Sequence, residues 1–90
     1  MNLFIITIED VYEGANNHVT PIVKTSIEEA RKELNRLYDS AKETYEEQFD
    51  EFEKSEDCFD MYESGYYCQN HYSAVIDTVE VPDIQEKVTE

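Results

Sequence analysis

Ninety residues, with 22 Asp and Glu against 7 Lys and Arg, carry a formal net charge of −15. That balance argues against direct binding of nucleic acid or of anionic membrane, because both repel such a surface. A content of 40% hydrophobic and 12% aromatic residues argues equally against a chain disordered throughout, so one small domain spanning 1–90 is expected.

The opening run Leu3-Phe4-Ile5-Ile6-Thr7-Ile8 is β-branched and apolar and reads as a central strand, continuing towards Tyr12. It lacks a basic leader and meets Glu9 and Asp10 too soon for a signal peptide or a membrane span, which suggests a cytoplasmic protein. Residues 13–17 have loop chemistry, since Gly and Asn tolerate positive φ. The stretch 18–24 contains Pro21, which cannot donate to a ladder, so it predicts an edge strand at best.

Ser26, three residues before Glu29, is a capping box at a helix start. Ile27, Ala30, Leu34, Leu37, Ala41, Tyr45, Phe49 and Phe52 follow at spacings of three or four. This stripe predicts an amphipathic helix of about seven turns, leaving the chain near residues 54–57. Residues 58–63 alternate like a strand and Ser64-Gly65 supplies a turn. That turn would place Cys58 opposite His71 and Cys68 opposite Met61, keeping the two thiols apart and free. Residues 72–81 read as a strand ended by Pro82, with 83–90 a frayed tail. The expected fold is α+β: an antiparallel sheet of three to four strands with one long amphipathic helix on one face, in the order β-β-α-β-β.

The charge is uneven. Residues 39–63 hold eleven acids and two bases. Side chains three or four apart on a helix sit about 5–6 Å from one another. A row formed by Glu43, Glu46, Glu47, Asp50, Glu51 and Glu53 would then resemble the spacing of backbone phosphates and occupy a basic nucleic-acid-binding surface. The alternative is an ordinary solvated face. A second candidate is the tyrosine-dense stretch holding Tyr62, Tyr66, Tyr67 and Tyr72, whose Tyr, Ser, Gly and Asn composition suits a protein contact. The same tyrosines would also suit a sheet face, with rings packed and hydroxyls wet.

Catalytic and metal chemistry find little support. Cys68-x-x-His71 has a permissible ligand spacing, and Cys58 and His18 are the other donors, but no paired Cys-x-x-Cys completes a zinc site. Cys68 and His71 have no third group to orient a thiol–imidazole couple. Residues 50–60 lack the glycine and ligand alternation of a calcium loop. Gly14 and Gly65 are the only glycines, so there is no phosphate loop. No catalytic residue, cofactor or metal is expected.

The segments Ile-Thr-Ile-Glu-Asp-Val-Tyr-Glu-Gly, Ser-Ile-Glu-Glu-Ala and His-Tyr-Ser-Ala-Val-Ile-Asp-Thr-Val-Glu-Val resemble small acidic uncharacterised proteins of bacteria, their phages and mobile elements. In size and acidity the chain is also similar to anti-CRISPR and antirestriction proteins, a likeness of composition that carries over no residue roles. The sequence therefore suggests a small accessory protein acting through protein–protein contact. Its alternative is an acidic nucleic-acid mimic directed at a basic DNA-binding enzyme. A homodimer through an edge strand or the tyrosines is a further possibility.

Overall fold

The computed structural model describes residues 1–12, 15–64 and 70–82. Its elements are β1 (Asn2–Tyr12), β2 (Ala15–His18), β3 (Ile22–Lys24), α1 (Ile27–Tyr45), β4 (Glu51–Lys54), β5 (Cys58–Tyr62) and β6 (His71–Glu80).

The long apolar strand organises the sheet. β1 pairs with β6 over ten residues, antiparallel, setting Ile6 opposite Ile76 and Ile8 opposite Ala74. On its other side β1 meets both β2 and β3. The edge strand expected over 18–24 is reduced to β3, and β2 is an added edge strand ending at His18; Val19-Thr20-Pro21 lies between them, where proline has no N–H to give. Of the loop expected over 13–17, residues 15–17 belong to β2. Ala15–His18 joins the sheet because Tyr12, Val11, Asp10 and Glu9 stand opposite as a template.

α1 begins where the capping box puts it. The Ser26 side chain accepts a hydrogen bond from the Glu29 backbone N–H at 3.4 Å. Glu28 and Glu29 in the first turn and Lys42 in the last complement the helix dipole. The helix buries Ala30, Leu34 and Ala41. It ends at Tyr45, well short of Phe52, and the backbone N–H groups of Gln48 and Phe49 both donate to the Tyr45 carbonyl. Glu46, Glu47, Asp50 and Glu51 follow at once, and a longer helix would gather these acids at its negative end. Phe49 instead buries itself just past the turn at 46–48, and Phe52 packs partly buried from β4, where Glu51 and Glu53 point away on the period of a strand.

The sheet order is β2-β1-β6-β5-β4, with β3 also on β1, and every pairing is antiparallel. Among the described residues six strands replace the expected three to four: β2 comes from sequence assigned to a loop, and β4 from sequence assigned to the helix. The register of β5 on β6 also differs. Tyr62 faces His71 and Cys58 faces Val75, where the expected turn would have set Cys58 opposite His71. The slip is an even number of residues, so Phe59 and Met61 keep their side and land against Ala74 and Tyr72. Cys58 is an exposed free thiol. Gly14, Gly65, Tyr66, Tyr67, Cys68 and the tail 83–90 lie outside the described residues.

One apolar cluster lies between α1 and the sheet, and Ile6, Leu34 and Met61 are its largest fully buried side chains. An aromatic layer extends it. Tyr38 meets Phe59 edge-on with centroids 5.4 Å apart, Phe59 stacks on Tyr72 at 5.8 Å, and Tyr72 is 5.8 Å from Tyr45. No helix among the described residues is long and apolar enough to cross a membrane.

Candidate binding face

Strand period two sorts the sheet into unlike faces. Ile6, Ile8, Phe59, Met61, Ala74 and Ile76 face α1 and are buried. Their neighbours point the other way, where no described element lies over them. One helix covers one face of an antiparallel sheet, so the described elements leave the second face bare.

Ladder register arranges that bare face in rows. Leu3 stands opposite Val79, Ile5 opposite both Asp77 and Val23, and Thr7 opposite Val75, which stands opposite Cys58. This half is aliphatic: Val23, Val75 and Val79 are 53%, 42% and 39% exposed, too open for core residues of this size. The next row is Glu9, Ser73, Asp60 and Glu53, followed by Val11, His71, Tyr62 and Glu51. This half is acidic.

The acidic half is partly wired together. His71 Nε2 lies 2.5 Å from Glu9 Oε1, and the Tyr62 hydroxyl donates to Glu53 Oε2 at 2.8 Å. Glu9, Glu53, Asp60, Tyr62, His71 and Ser73 line one shallow depression. Partial burial pushes the Asp60 carboxyl above its ordinary pKa, Glu53 and Glu9 push it the same way, and His71 opposes them. The hydrogen bond to Glu53 raises the Tyr62 hydroxyl.

Lys24, Arg31, Lys32, Arg36, Lys42 and Lys54 belong to the other side. Arg31 pairs with Asp57 at 2.8 Å and Glu56 at 3.1 Å, and Arg36 pairs with Glu33 along α1. Lys42 lies over the Tyr38 and Phe52 rings and Lys54 over the Tyr38 ring. Lys24 shares a register row with Phe4, on the helix side. Among the described residues, therefore, no lysine or arginine stands on the bare face.

The acidic residues expected on a helix are dispersed. Glu43 alone is inside α1; Glu46 is its C-cap and Glu47 lies in the turn beyond. Within its bounds α1 carries five acids and four bases, so it presents no continuous carboxylate row. Asp50 is engaged internally: its carboxylate accepts from the Ser64 backbone N–H at 2.7 Å and from the Ser64 hydroxyl, which hold its pKa down. Glu51 and Glu53 reach the bare face, beside Tyr62. Tyr72 does not: it packs in the aromatic layer under α1, and burial raises its hydroxyl pKa. Tyr66 and Tyr67 fall outside the described residues. Sequence reasoning missed Glu9, Asp60, Val23, Val75, Asp77 and Val79. The available signal was that Leu3 and Ile5 are as apolar as Phe4 and Ile6, while the sequence predicts one long helix to cover them.

Among the described residues no group of three or more His, Cys, Asp or Glu is arranged to hold a metal. The chain matches no family model, no curated protein and no solved structure.

The titrations give a signed expectation. A carboxyl whose folded pKa is raised favours folding while protonated and loses that contribution as pH rises through the folded value. Asp60→Asn therefore raises the melting temperature at neutral pH, and the gain fades on acidification. Asp57, held down chiefly by its hydrogen bond from Arg31, and Asp50 act in the opposite sense. Their contribution is present at neutral pH and is lost below 3.8, as pH falls through their lowered values. Thermal melts of both proteins across this range check it. A lower melting temperature for Asp60→Asn at neutral pH contradicts the assignment.

Proposed function

We propose that this chain is a small non-catalytic accessory protein acting through protein–protein contact, and that the bare face of its sheet is the contact surface. The exposed aliphatic rows carry this reading. Folding gains nothing from leaving Val23, Val75 and Val79 half in water, whereas covering what remains exposed of one such side chain is worth about 0.7 kcal/mol or more. Exposed apolar surface beside polar groups also marks protein contact sites.

A second reading, mimicry of a nucleic acid towards a basic DNA-binding enzyme, is supported by a different observation. Glu9, Asp60 and Glu53 share one row across strands spaced about 4.8 Å apart. This puts the acidic pattern on the sheet instead of on a helix.

Affinity capture from a bacterial lysate, with bound proteins identified by mass spectrometry, tests both. The protein is compared with the double variant Val23→Gln/Val75→Gln and with Glu43→Gln on the helix. The contact reading predicts a captured protein that is retained by Glu43→Gln and lost by at least about tenfold from the double variant. Capture unaffected by the double variant sinks it. A captured protein released by salt and displaced by duplex DNA favours mimicry.

A further inference from the structure

We infer that the occupant of the bare face is a basic protein surface, with lysine or arginine stems lying over the aliphatic rows and cationic heads reaching the carboxylates, and not a second copy of this chain. This rests on the bare face being the contact surface.

Asp77 points to the bare face between Val75 and Val79 on β6 and stands opposite Ile5 on β1. Any partner that covers those aliphatics also takes the Asp77 carboxylate out of water. A purely apolar partner would leave it buried without a counter-charge, which is strongly unfavourable. The partner must therefore bring a cation to the centre of the aliphatic half.

The described part of a second copy does not bring one. The described Lys and Arg residues all lie on the helix side, whereas Glu9, Glu51, Glu53, Asp60 and Asp77 lie on the bare face. Packing two such faces together would set carboxylates against carboxylates in a dimer of twice −15. Arginine and lysine suit the face for a complementary reason. Their methylene stems cover apolar surface while the charged head reaches past it.

The acidic half adds a second cation position. Ser73, in the Glu9–Asp60–Glu53 row, is four residues from Asp77 along β6, about 13 Å at the rise of a strand. Asp60 is crowded there by Glu9 and Glu53, a repulsion that an incoming cation relieves. The partner thus carries at least two cationic groups about 13 Å apart, with apolar contact between them.

The test uses an eight-residue arginine peptide as probe and isotope-labelled protein observed by NMR at low salt. The expected result is that shift changes concentrate at Thr7, Glu9, Asp60, Ser73, Val75 and Asp77. Asp77→Asn should weaken peptide binding by about fivefold or more, while Glu43→Gln, which removes the same charge, changes it less than about twofold. Shift changes spread over α1 and the turn at 46–48, or an equal loss from Glu43→Gln, overturn the inference. So does sedimentation showing a dimer that Val75→Gln dissociates, because the occupant is then a second copy. The broader contact reading is judged separately. If a lysate partner is lost on Val23→Gln/Val75→Gln but is indifferent to Asp77→Asn and to salt, that reading stands and the basic occupant falls.

Discussion

Leu34→Asp abolishes the cooperative thermal transition of this protein. Leu34 is 0% exposed and sits mid-helix against the sheet, within the cluster that includes Ile6, Met61 and Ile76. Truncating such a leucine to alanine costs about 3–5 kcal/mol. Aspartate adds an unpaired charge in an apolar site, costing several more. A domain of this length has only about 5–13 kcal/mol to lose, and much of that is already opposed by self-repulsion at net −15. The far-ultraviolet circular dichroism melt should therefore lack a sigmoidal step at neutral pH. A Leu34→Asp protein that melts like the parent means that α1 buries a different face.

Phe59→Ala is the second large effect, a loss of about 3–5 kcal/mol. Phe59 is 2% exposed and joins the helix to the sheet through two ring contacts, Tyr38 on α1 and Tyr72 on β6. Its removal leaves a void that neither ring fills without leaving the other elements it touches, because Tyr72 is also held by Tyr45. Denaturant melts read the change as a lower midpoint at an unaltered slope. The next residue on β5 provides an internal contrast. Asp60 points to the opposite face, and Asp60→Asn acts in the stabilising direction. If Phe59→Ala costs less than about 1 kcal/mol, the aromatic layer is not the core contact described above.

How much of this was legible in the sequence follows from which forces are local. The α+β class, the helix start at Ser26 and the stripe from Ile27 to Tyr45 rest on capping and periodicity, and the structure agrees with them. The opening and closing strands were equally plain. The helix end was not, because Phe49 and Phe52 continue the three-and-four spacing even though they lie just past a turn and in a strand. Only the opposition of Glu46 and Glu47 to the helix dipole, and the alternation of Glu51-Phe52-Glu53, mark the change. β2 was hidden because Asn16 and Asn17 favour loops, and their strand depends on a partner distant in sequence from the local cue. The site suffered most from the misplaced helix end. An acidic row assigned to one helix is divided among α1, its cap, the turn beyond and β4, and Tyr72 packs partly buried against the core. The bare face had no motif to announce it. It follows from counting layers, since a six-stranded sheet with aliphatics on both sides needs a cover on each, and the described chain supplies one.

The openness of that face is the claim on which the proposed contact depends. The most direct measurement is attenuation of methyl NMR signals by a neutral, soluble gadolinium chelate added to the isolated protein. The account predicts strong attenuation at Val23, Val75 and Val79, and protection at Ile6, Leu34 and Ile76. Val75 and Val79 protected to the same degree as Ile6 would contradict it, because the face would then be covered in the protein by itself.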